Sequence, residues 1–166
     1  MIFIDGSNFY YGLKENMGFT QIDFNFFAQK LTEGRKYIRT YYYNVALDAK
    51  EDPGKYASQQ RFFNKLCFTP YLILKLGRLQ KTSTGYVEKG VDINIAVDMF
   101  KLAHDDVYDT AILVTSDGDF VPAIEVVQEL GKHMENAYFG RGYSFHLRKA
   151  CDKFIELNNS FFKSPQ

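Results

Sequence analysis

Four aspartates occur where the sequence pattern places the end of a strand or the start of a helix. Asp117 and Asp119 follow the apolar run at residues 111–115, which is typical of a buried strand. Asp5 follows another short apolar run at the start of the chain, and Asp92 opens a strongly apolar helical stretch. In a parallel sheet the carboxyl ends of the strands share one edge, and ligands bind in the crevice outside it. We therefore expect the four carboxylates to converge.

Carboxylates that lie close together raise one another's pKa values unless a cation neutralises them. Oxygen ligands without a Cys or His cluster suit Mg²⁺ or Mn²⁺, and such a site performs phosphoryl transfer through a metal-activated water. Asn8 is placed to donate a hydrogen bond to a phosphate oxygen or to a metal-bound water, and Thr115 and Ser116 are placed to orient the acids. Asp98 lies six positions after Asp92, well round the helix, and is assigned to a supporting or buried polar contact.

Each aspartate also has an ordinary structural explanation. An Asp just before a helix usually caps it, so Asp92 or Asp119 taken alone is better explained as a cap. Asp5 taken alone is equally compatible with turn chemistry after a strand. The combination is more specific than its members, because one carboxylate follows the first strand, one opens a core helix and two follow the next strand.

The elements that would position these acids alternate between strand and helix. Apolar runs predict strands at residues 1–4, 36–47, 71–76, 111–115 and 133–139, with a final strand or turn at 154–157. Helical spacing predicts a helix capped by Asp23 and ended by Gly34, and others at residues 55–67, 91–103, about 119–130 and 144–150. Residues 5–8 form a polar turn, and residues 78–90 an exposed loop or small hairpin. The pattern predicts one α/β domain over residues 1–166, a three-layer α/β/α sandwich around a mainly parallel sheet.

The composition narrows the class of protein. With 46% hydrophobic residues and 17% aromatics, the chain is not intrinsically disordered. Its two cysteines make a disulfide framework unexpected and fit a reducing compartment. Because the sequence opens directly on a strand pattern and has no run of membrane-spanning length, we expect a cytoplasmic protein without a membrane partner.

Nucleic-acid binding would have to come from a local patch, because 20 Lys and Arg residues balance 20 Asp and Glu residues. The first candidate patch is the segment 78–90, because it leads directly into Asp92. It carries Arg78, Lys81 and Lys89, and Lys75 lies just before it. A second basic group contains Arg141 and three residues near it, His146, Arg148 and Lys149. Tyr10 is a candidate for stacking on an unpaired base. Ordinary structural roles explain these residues equally well, with the lysines in solvent and the tyrosine packed against a helix. The three histidines, His104, His133 and His146, lack metal-ligand spacing.

Three acidic motifs resemble those of the NYN domains of the LabA-like group, which are relatives of PIN-domain nucleases. Residues 3–8 read FIDGSN, residues 89–98 read KGVDINIAVD, and residues 113–120 read LVTSDGDF. The ending LRKACDKFIEL at residues 147–157 also resembles the family's C-terminal pattern. The resemblance implies a PIN-like fold, a Mg²⁺ or Mn²⁺ site and ribonuclease activity on single-stranded or structured RNA. Carried over by position, it implies metal binding by Asp5, Asp92, Asp117 and Asp119, with Asn8 beside them.

Other functions remain open at this point. A non-catalytic RNA-binding or regulatory module would keep the same fold and the same basic surface. A haloacid-dehalogenase-type phosphatase also uses aspartates at strand ends, but it places its D-x-D after the first strand, whereas here Asp5 is followed by Gly6 and Ser7. Exposed members of the many aromatic residues could serve a homodimer interface.

Overall fold

The structure, a computed structural model, describes residues 1–82 and 85–162. The strands of this part of the chain are β1 (Ile2–Asp5), β2 (Thr40–Asn44), β3 (Leu72–Leu76), β4 (Arg78–Thr82), β5 (Gly85–Lys89), β6 (Thr110–Val114), β7 (His133–Phe139) and β8 (Lys153–Leu157). The α-helices are α1 (Gly6–Asn16), α2 (Phe24–Thr32), α3 (Pro53–Cys67), α4 (Val91–His104), α5 (Val121–Glu129) and α6 (Phe145–Ala150). Two 3₁₀ helices lie at Gly118–Phe120 and Asn159–Phe161. Within these residues, no helix combines the length and the hydropathy needed to cross a membrane.

Six strands form one parallel sheet in the order β3-β2-β1-β6-β7-β8. Helices α1, α2 and α3 contribute to the hydrophobic core on one face of the sheet, and α4, α5 and α6 to the core on the other. The α/β fold with a mainly parallel central sheet, predicted from alternating strand and helix patterns, is therefore confirmed. Strand boundaries differ in detail: the second strand is five residues long and begins at Thr40, although the Arg39 carbonyl oxygen already accepts a hydrogen bond from the Ile2 N–H at 2.9 Å.

Side chains alternate between the two faces along each central strand. On β1, Ile4 belongs to the core under α1 to α3, whereas Phe3 belongs to the core under α4 to α6. On β6, Leu113 lies on the same side as Phe3. The next residue on that side is Asp5 for β1 and Thr115 for β6, so the strand period directs both polar side chains toward α4.

Helix α1 is the main element that the sequence patterns did not predict. They indicated only a polar turn after the first strand, but α1 begins at Gly6 with no connecting loop. The Asp5 side chain caps it by accepting a hydrogen bond from the Asn8 backbone N–H at 3.1 Å. Phe9 and Leu13 then bury one face of the helix, which explains why a start rich in turn-forming residues is helical.

The 78–90 excursion is an antiparallel hairpin of β4 and β5, the second of the two alternatives that the sequence left open. Its turn at Ser83 and Thr84 lies outside the described residues. Gly90 follows β5 in the left-handed region, at φ 82°, and turns the chain directly into α4. The hairpin therefore leads to Asp92 with only a short connection.

Gly6→Ala is expected to lower the free energy of unfolding by about 1–3 kcal/mol, because a Cβ has no room there. It would lie 2.4 Å from the Tyr43 carbonyl oxygen and 2.5 Å from Tyr42 Cε1. Gly54→Ala is the matched control in the first turn of α3, where the nearest atom to a Cβ, Asp52 Oδ1, is 3.4 Å away. Urea unfolding should show a stability equal to the wild type or up to about 1 kcal/mol higher for the control. Equal stabilities for the two variants would contradict the close packing at Gly6.

Candidate active site

Asp5 and Thr115 lie side by side at the carboxyl edge of the sheet. Ile4 is in register with Val114 on the neighbouring strand, so the next residue of each strand is level with the other. Thr115 Oγ1 donates a hydrogen bond to Asp5 Oδ2 at 3.2 Å, and both residues are buried. The chain runs from β1 to β2 and β3 on one side and returns to β6 on the other, so this edge is the topological switch point where α/β sheets bind ligands.

Hydrogen bonds join the start of α1 to the loop after β6. Asn8 Oδ1 accepts a hydrogen bond from the Ser116 backbone N–H at 3.0 Å. Thr115 Oγ1 accepts one from the Asp117 backbone N–H at 3.2 Å while donating to Asp5. Asn8, Thr115 and Ser116, predicted as neighbours of the acids, therefore lie in one network with Asp5. The side-chain oxygen of Asn8 fixes the acidic loop.

The two acids that the sequence best explained as caps do not cap. Gly90 occupies the N-cap position of α4 with no side-chain hydrogen bond, which leaves the Asp92 carboxylate in the first turn. Asp117, not Asp119, caps the 3₁₀ helix, with Oδ1 accepting from the Asp119 N–H at 2.9 Å. Asp92 and Asp119 are exposed and line the same pocket between α4 and α5, about 180 Å³ in volume. Their side chains are therefore available to a ligand.

The acids influence one another electrostatically. Burial raises the pKa of Asp5 from its ordinary 3.8 to about 6, with additional contributions from the charges of Asp92 and Asp117. Hydrogen bonds from Asn8 and Thr115 oppose this rise. The pKa of Asp92 is also raised, first by burial and then by the charges of Asp117 and Asp119. The edge of the sheet therefore favours a proton or a cation.

The donor set suits a hard divalent cation, but the carboxylates are not already gathered around one point. Within residues 1–82 and 85–162, no three His, Cys, Asp or Glu side chains are arranged so that they could hold a metal ion. Two hydrogen bonds fix the Asp5 side chain. The Asp92 and Asp119 side chains are exposed to solvent. Oxygen donors of this kind are the ligands of Mg²⁺ and Mn²⁺.

Asp98 was predicted to have either a supporting role or a buried polar contact, and the structure shows a polar contact. Its Oδ2 accepts a hydrogen bond from the Tyr43 hydroxyl at 2.7 Å and lies 2.8 Å from Lys75 Nζ. The Asp98 side chain is 16% exposed. This cluster ties α4 to β2 and β3, and it engages Lys75, the residue before the hairpin that the sequence grouped with the basic patch.

The residues predicted to contact RNA fall into two areas. In the hairpin, Arg78 and Lys89 are directly opposite each other and share a face, whereas Lys81 lies on the other face, 5.8 Å from the centre of the Tyr86 ring. Two like charges in direct cross-strand pairing are unfavourable unless an anion lies between them.

The second area is the surface of α1 and the loop after β7. Tyr10 is 44% exposed and packs edge-on against Tyr11. The Arg141 backbone N–H donates to Asn16 Oδ1 at 2.9 Å, which holds the loop against the end of α1. RNA binding by these residues stays a prediction.

Two residues beside the acids were missed or assigned elsewhere. Asn136 is fully buried on β7, and its Nδ2 donates to the carbonyl oxygens of Leu113 and Thr115 at 3.0 and 2.9 Å. It supports the strand end from which the acidic loop leaves. His146, which the sequence placed in the second basic group and also among the histidines without metal-ligand spacing, lines a second pocket together with Asp119.

Comparisons with known proteins agree with the fold. A profile of the NYN domain matches residues 1–158. The chain is 28% identical over 165 residues to the low amplitude and bright protein LabA of Synechococcus elongatus, covering 95% of this chain and 83% of LabA. It is 35% identical over 71 residues to an uncharacterized protein of Methanocaldococcus jannaschii, covering 43% of this chain and 30% of that protein.

A crystal structure of a protein of unknown function from Vibrio parahaemolyticus superimposes with a TM-score of 0.78 and 25% sequence identity. The superposition covers 98% of this chain and 94% of that one. Since the domain profile spans nearly the whole sequence and the three acidic motifs fall on the same sheet edge, this chain belongs to the NYN domain family.

Proposed function

We propose that this protein is a divalent-metal-dependent endoribonuclease that hydrolyses RNA phosphodiester bonds. The observation that carries the proposal is the buried Asp5 carboxylate at the switch point, whose pKa is raised to about 6 by burial and by the neighbouring Asp92 and Asp117 charges. Proteins keep such an unfavourable group where it serves a site. Membership of the NYN family, whose fold is of the PIN-like nuclease type, supports a nuclease role.

The proposed ion-binding residues are Asp5, Asp92, Asp117 and Asp119. A Mg²⁺ or Mn²⁺ ion bound there would polarise the phosphodiester and lower the pKa of a water molecule. The other residues of the network have positioning roles. Thr115 orients the Asp5 carboxylate, and Asn8 holds the Ser116 backbone, so the acidic loop keeps a fixed relation to β1.

A non-catalytic RNA-binding module is the second candidate. One observation favours it: within the described residues, no three potential ligand side chains already form a metal-binding group. In that case the acids would have a structural role, as Asp5 and Asp117 do when they cap α1 and the 3₁₀ helix.

The decisive experiment incubates the purified protein with labelled single-stranded and hairpin RNA in Mn²⁺, in Mg²⁺ or in EDTA. The nuclease proposal expects internal cleavage that requires the metal and stops in EDTA. Binding of RNA without cleavage in either metal would contradict it and favour the binding module. Cleavage that persists in EDTA would exclude metal-dependent hydrolysis.

The double variant Arg78→Ala, Lys89→Ala is expected to weaken RNA binding and to flatten its dependence on salt. Loss of two phosphate contacts to a single strand reduces the slope of log K against log salt by about 1.4. Fluorescence anisotropy at several salt concentrations measures it. The matched control is Lys30→Ala, Lys101→Ala, which removes two cations from helix ends at the opposite edge of the sheet. A slope unchanged from the wild type would remove the hairpin from the RNA footprint.

A further inference from the structure

A second pocket adjoins the acid cluster on the α6 side. It is about 440 Å³ in volume and is lined by Gly118, Asp119, Val121, Pro122 and His146. It is broadly open to solvent, so it forms a groove and not an enclosed cavity. Asp119 borders both this pocket and the one that contains Asp92, so a molecule in the second pocket lies next to the acids.

The walls of the second pocket combine apolar surface with the polar side chains of Asp119 and His146. Pro122 and Val121 supply aliphatic surface at the start of α5, and the exposed His146 imidazole supplies a flat ring with nitrogen atoms at its edge. A Cβ at Gly118 would lie 3.0 Å from Ser144 Oγ, so the glycine lets the acidic loop approach the cap of α6 closely. The same added Cβ would lie 3.6 Å from His146 Cβ, so the acidic loop is close to His146 as well. A planar, aromatic and polar-edged group fits such walls, and a nucleobase is one.

The surface of α6 carries further aromatic and polar groups on the side away from the acids. Phe145 is 57% exposed, and Lys149 Nζ lies 4.7 Å from the centre of its ring. Single-stranded nucleic acids bind to surfaces on which aromatic rings alternate with cations, because bases stack on the rings while phosphates contact the cations. Phe145, His146 and Lys149 lie within two turns of one helix, so a strand that leaves the acids on this side meets them in succession.

We infer that the pocket lined by Pro122 and His146 binds one unstacked base next to the scissile phosphate. The inference deepens the proposed nuclease function and rests on it for the identity of the ligand. A duplex keeps its bases stacked inside the helix and cannot place one in the pocket.

The test measures affinity for a base and does not depend on cleavage. A fluorescein-labelled oligouridylate and an abasic oligomer with the same sugar-phosphate backbone are titrated with protein in EDTA, and the ratio of the two Kd values is recorded. The wild type is expected to bind the base-bearing RNA about tenfold more tightly, in line with the stacking contribution of one base. His146→Ala is expected to lose most of this ratio, and His146→Phe to retain most of it, because phenylalanine preserves the flat ring.

His104→Ala is the matched control, because His104 is an exposed histidine at the end of α4 opposite to Asp92. Its ratio should equal that of the wild type. An equal affinity of the wild type for both oligomers, or an unchanged ratio in His146→Ala, would overturn the base-binding pocket even if the protein cleaves RNA. A ratio that depends on His146 in a protein that never cleaves RNA would support the pocket while the nuclease proposal fails.

Discussion

Asp5→Asn is expected to stabilise the metal-free protein at pH 7 while removing RNA cleavage. Burial raises the pKa of Asp5 to about 6, so the ionised carboxylate is disfavoured in the folded state at neutral pH. The difference from the ordinary value of 3.8 corresponds to about 3 kcal/mol of destabilisation by the charge. Asparagine has nearly the same shape, and its Oδ1 can still accept the Asn8 N–H that caps α1. Its Nδ2 replaces Oδ2 and donates to Thr115 Oγ1, so the hydrogen bond between these two side chains is kept with its direction reversed. We expect a rise in melting temperature of about 5–10 °C.

The pH dependence of the effect has a defined sign. Because the folded-state pKa of Asp5 lies above the unfolded value, the stabilising contribution of its proton is complete below pH 3.8 and is lost as the pH rises through about 6. The difference in unfolding free energy between Asp5→Asn and the wild type should therefore be small below pH 3.8 and largest above pH 6. Urea unfolding in EDTA across this range measures it.

Two further measurements make the Asp5 prediction specific. Asp109→Asn alters an exposed acid just before the amino end of β6 and should not reproduce the stabilisation that Asp5→Asn gives at pH 7. Added Mn²⁺ should raise the melting temperature of the wild type at pH 7 more than that of Asp5→Asn, because the variant lacks the charge that the cation would offset. A stability difference that does not vary between pH 4 and pH 7 would contradict the burial of an ionising carboxylate.

Asp117→Asn is expected to reduce the rate of RNA cleavage by at least about a hundredfold and to preserve or improve RNA binding. The loss of activity reflects the several kcal/mol that a metal-assisted phosphodiester hydrolysis gains from its ligands. Binding should survive because the asparagine Oδ1 can still accept the Asp119 N–H at the 3₁₀ helix, while one negative charge near the phosphates is removed. Single-turnover cleavage in Mn²⁺ and anisotropy in EDTA measure the two effects separately.

Asp109→Asn serves as the control here too, since it removes the same charge from the opposite edge of the sheet. It should retain wild-type cleavage and binding. Full activity in Asp117→Asn would remove this residue from the proposed metal site. Loss of both cleavage and binding in Asp117→Asn, with a lowered melting temperature, would assign Asp117 to the structure of the loop.

The sequence predicted the layers of this fold well, because its central strands are buried on both faces. β1 and β6 appear as short apolar runs, and α4 and α5 as apolar stretches with helical spacing. A short apolar run bounded by turn residues is typical of a buried strand. The three acidic motifs occur along the chain in the order that is typical of the NYN family. This order indicated the edge of the sheet where the acids would meet.

Helix α1 was missed because its first residues, Gly6, Ser7 and Asn8, favour turns and caps over helices. What makes them helical is distant in sequence: the Ser116 backbone, held by the Asn8 side chain, and the close packing of Gly6 against Tyr43. Local propensity carries no information about such partners.

The capping explanation that Asp92 and Asp119 have when each is taken alone does not hold, for a similar reason. An aspartate near the start of a helix is either the cap or a first-turn residue, depending on the residue at which the helix begins. Because the 3₁₀ helix begins at Gly118, Asp117 is the cap and Asp119 lies in the first turn. The second pocket was equally beyond prediction, because Pro122 and His146 are separated along the chain and the tertiary packing of α5 against α6 brings their segments together.

The hydrogen bond between Thr115 and Asp5 joins residues 110 positions apart and has a consequence for the newly synthesised chain. β1 is made first, but its neighbour β6 emerges from the ribosome only after β2, β3 and the hairpin have been translated. Until then one edge of β1 is unpaired, and Asp5 has neither Thr115 nor Asp117 beside it. A ribosome-bound or prematurely terminated chain that stops before residue 115 therefore carries the β4–β5 hairpin but an incomplete acid cluster. If the proposed nuclease function holds, the acid cluster it requires is completed only after β6 and the loop that follows it have been translated.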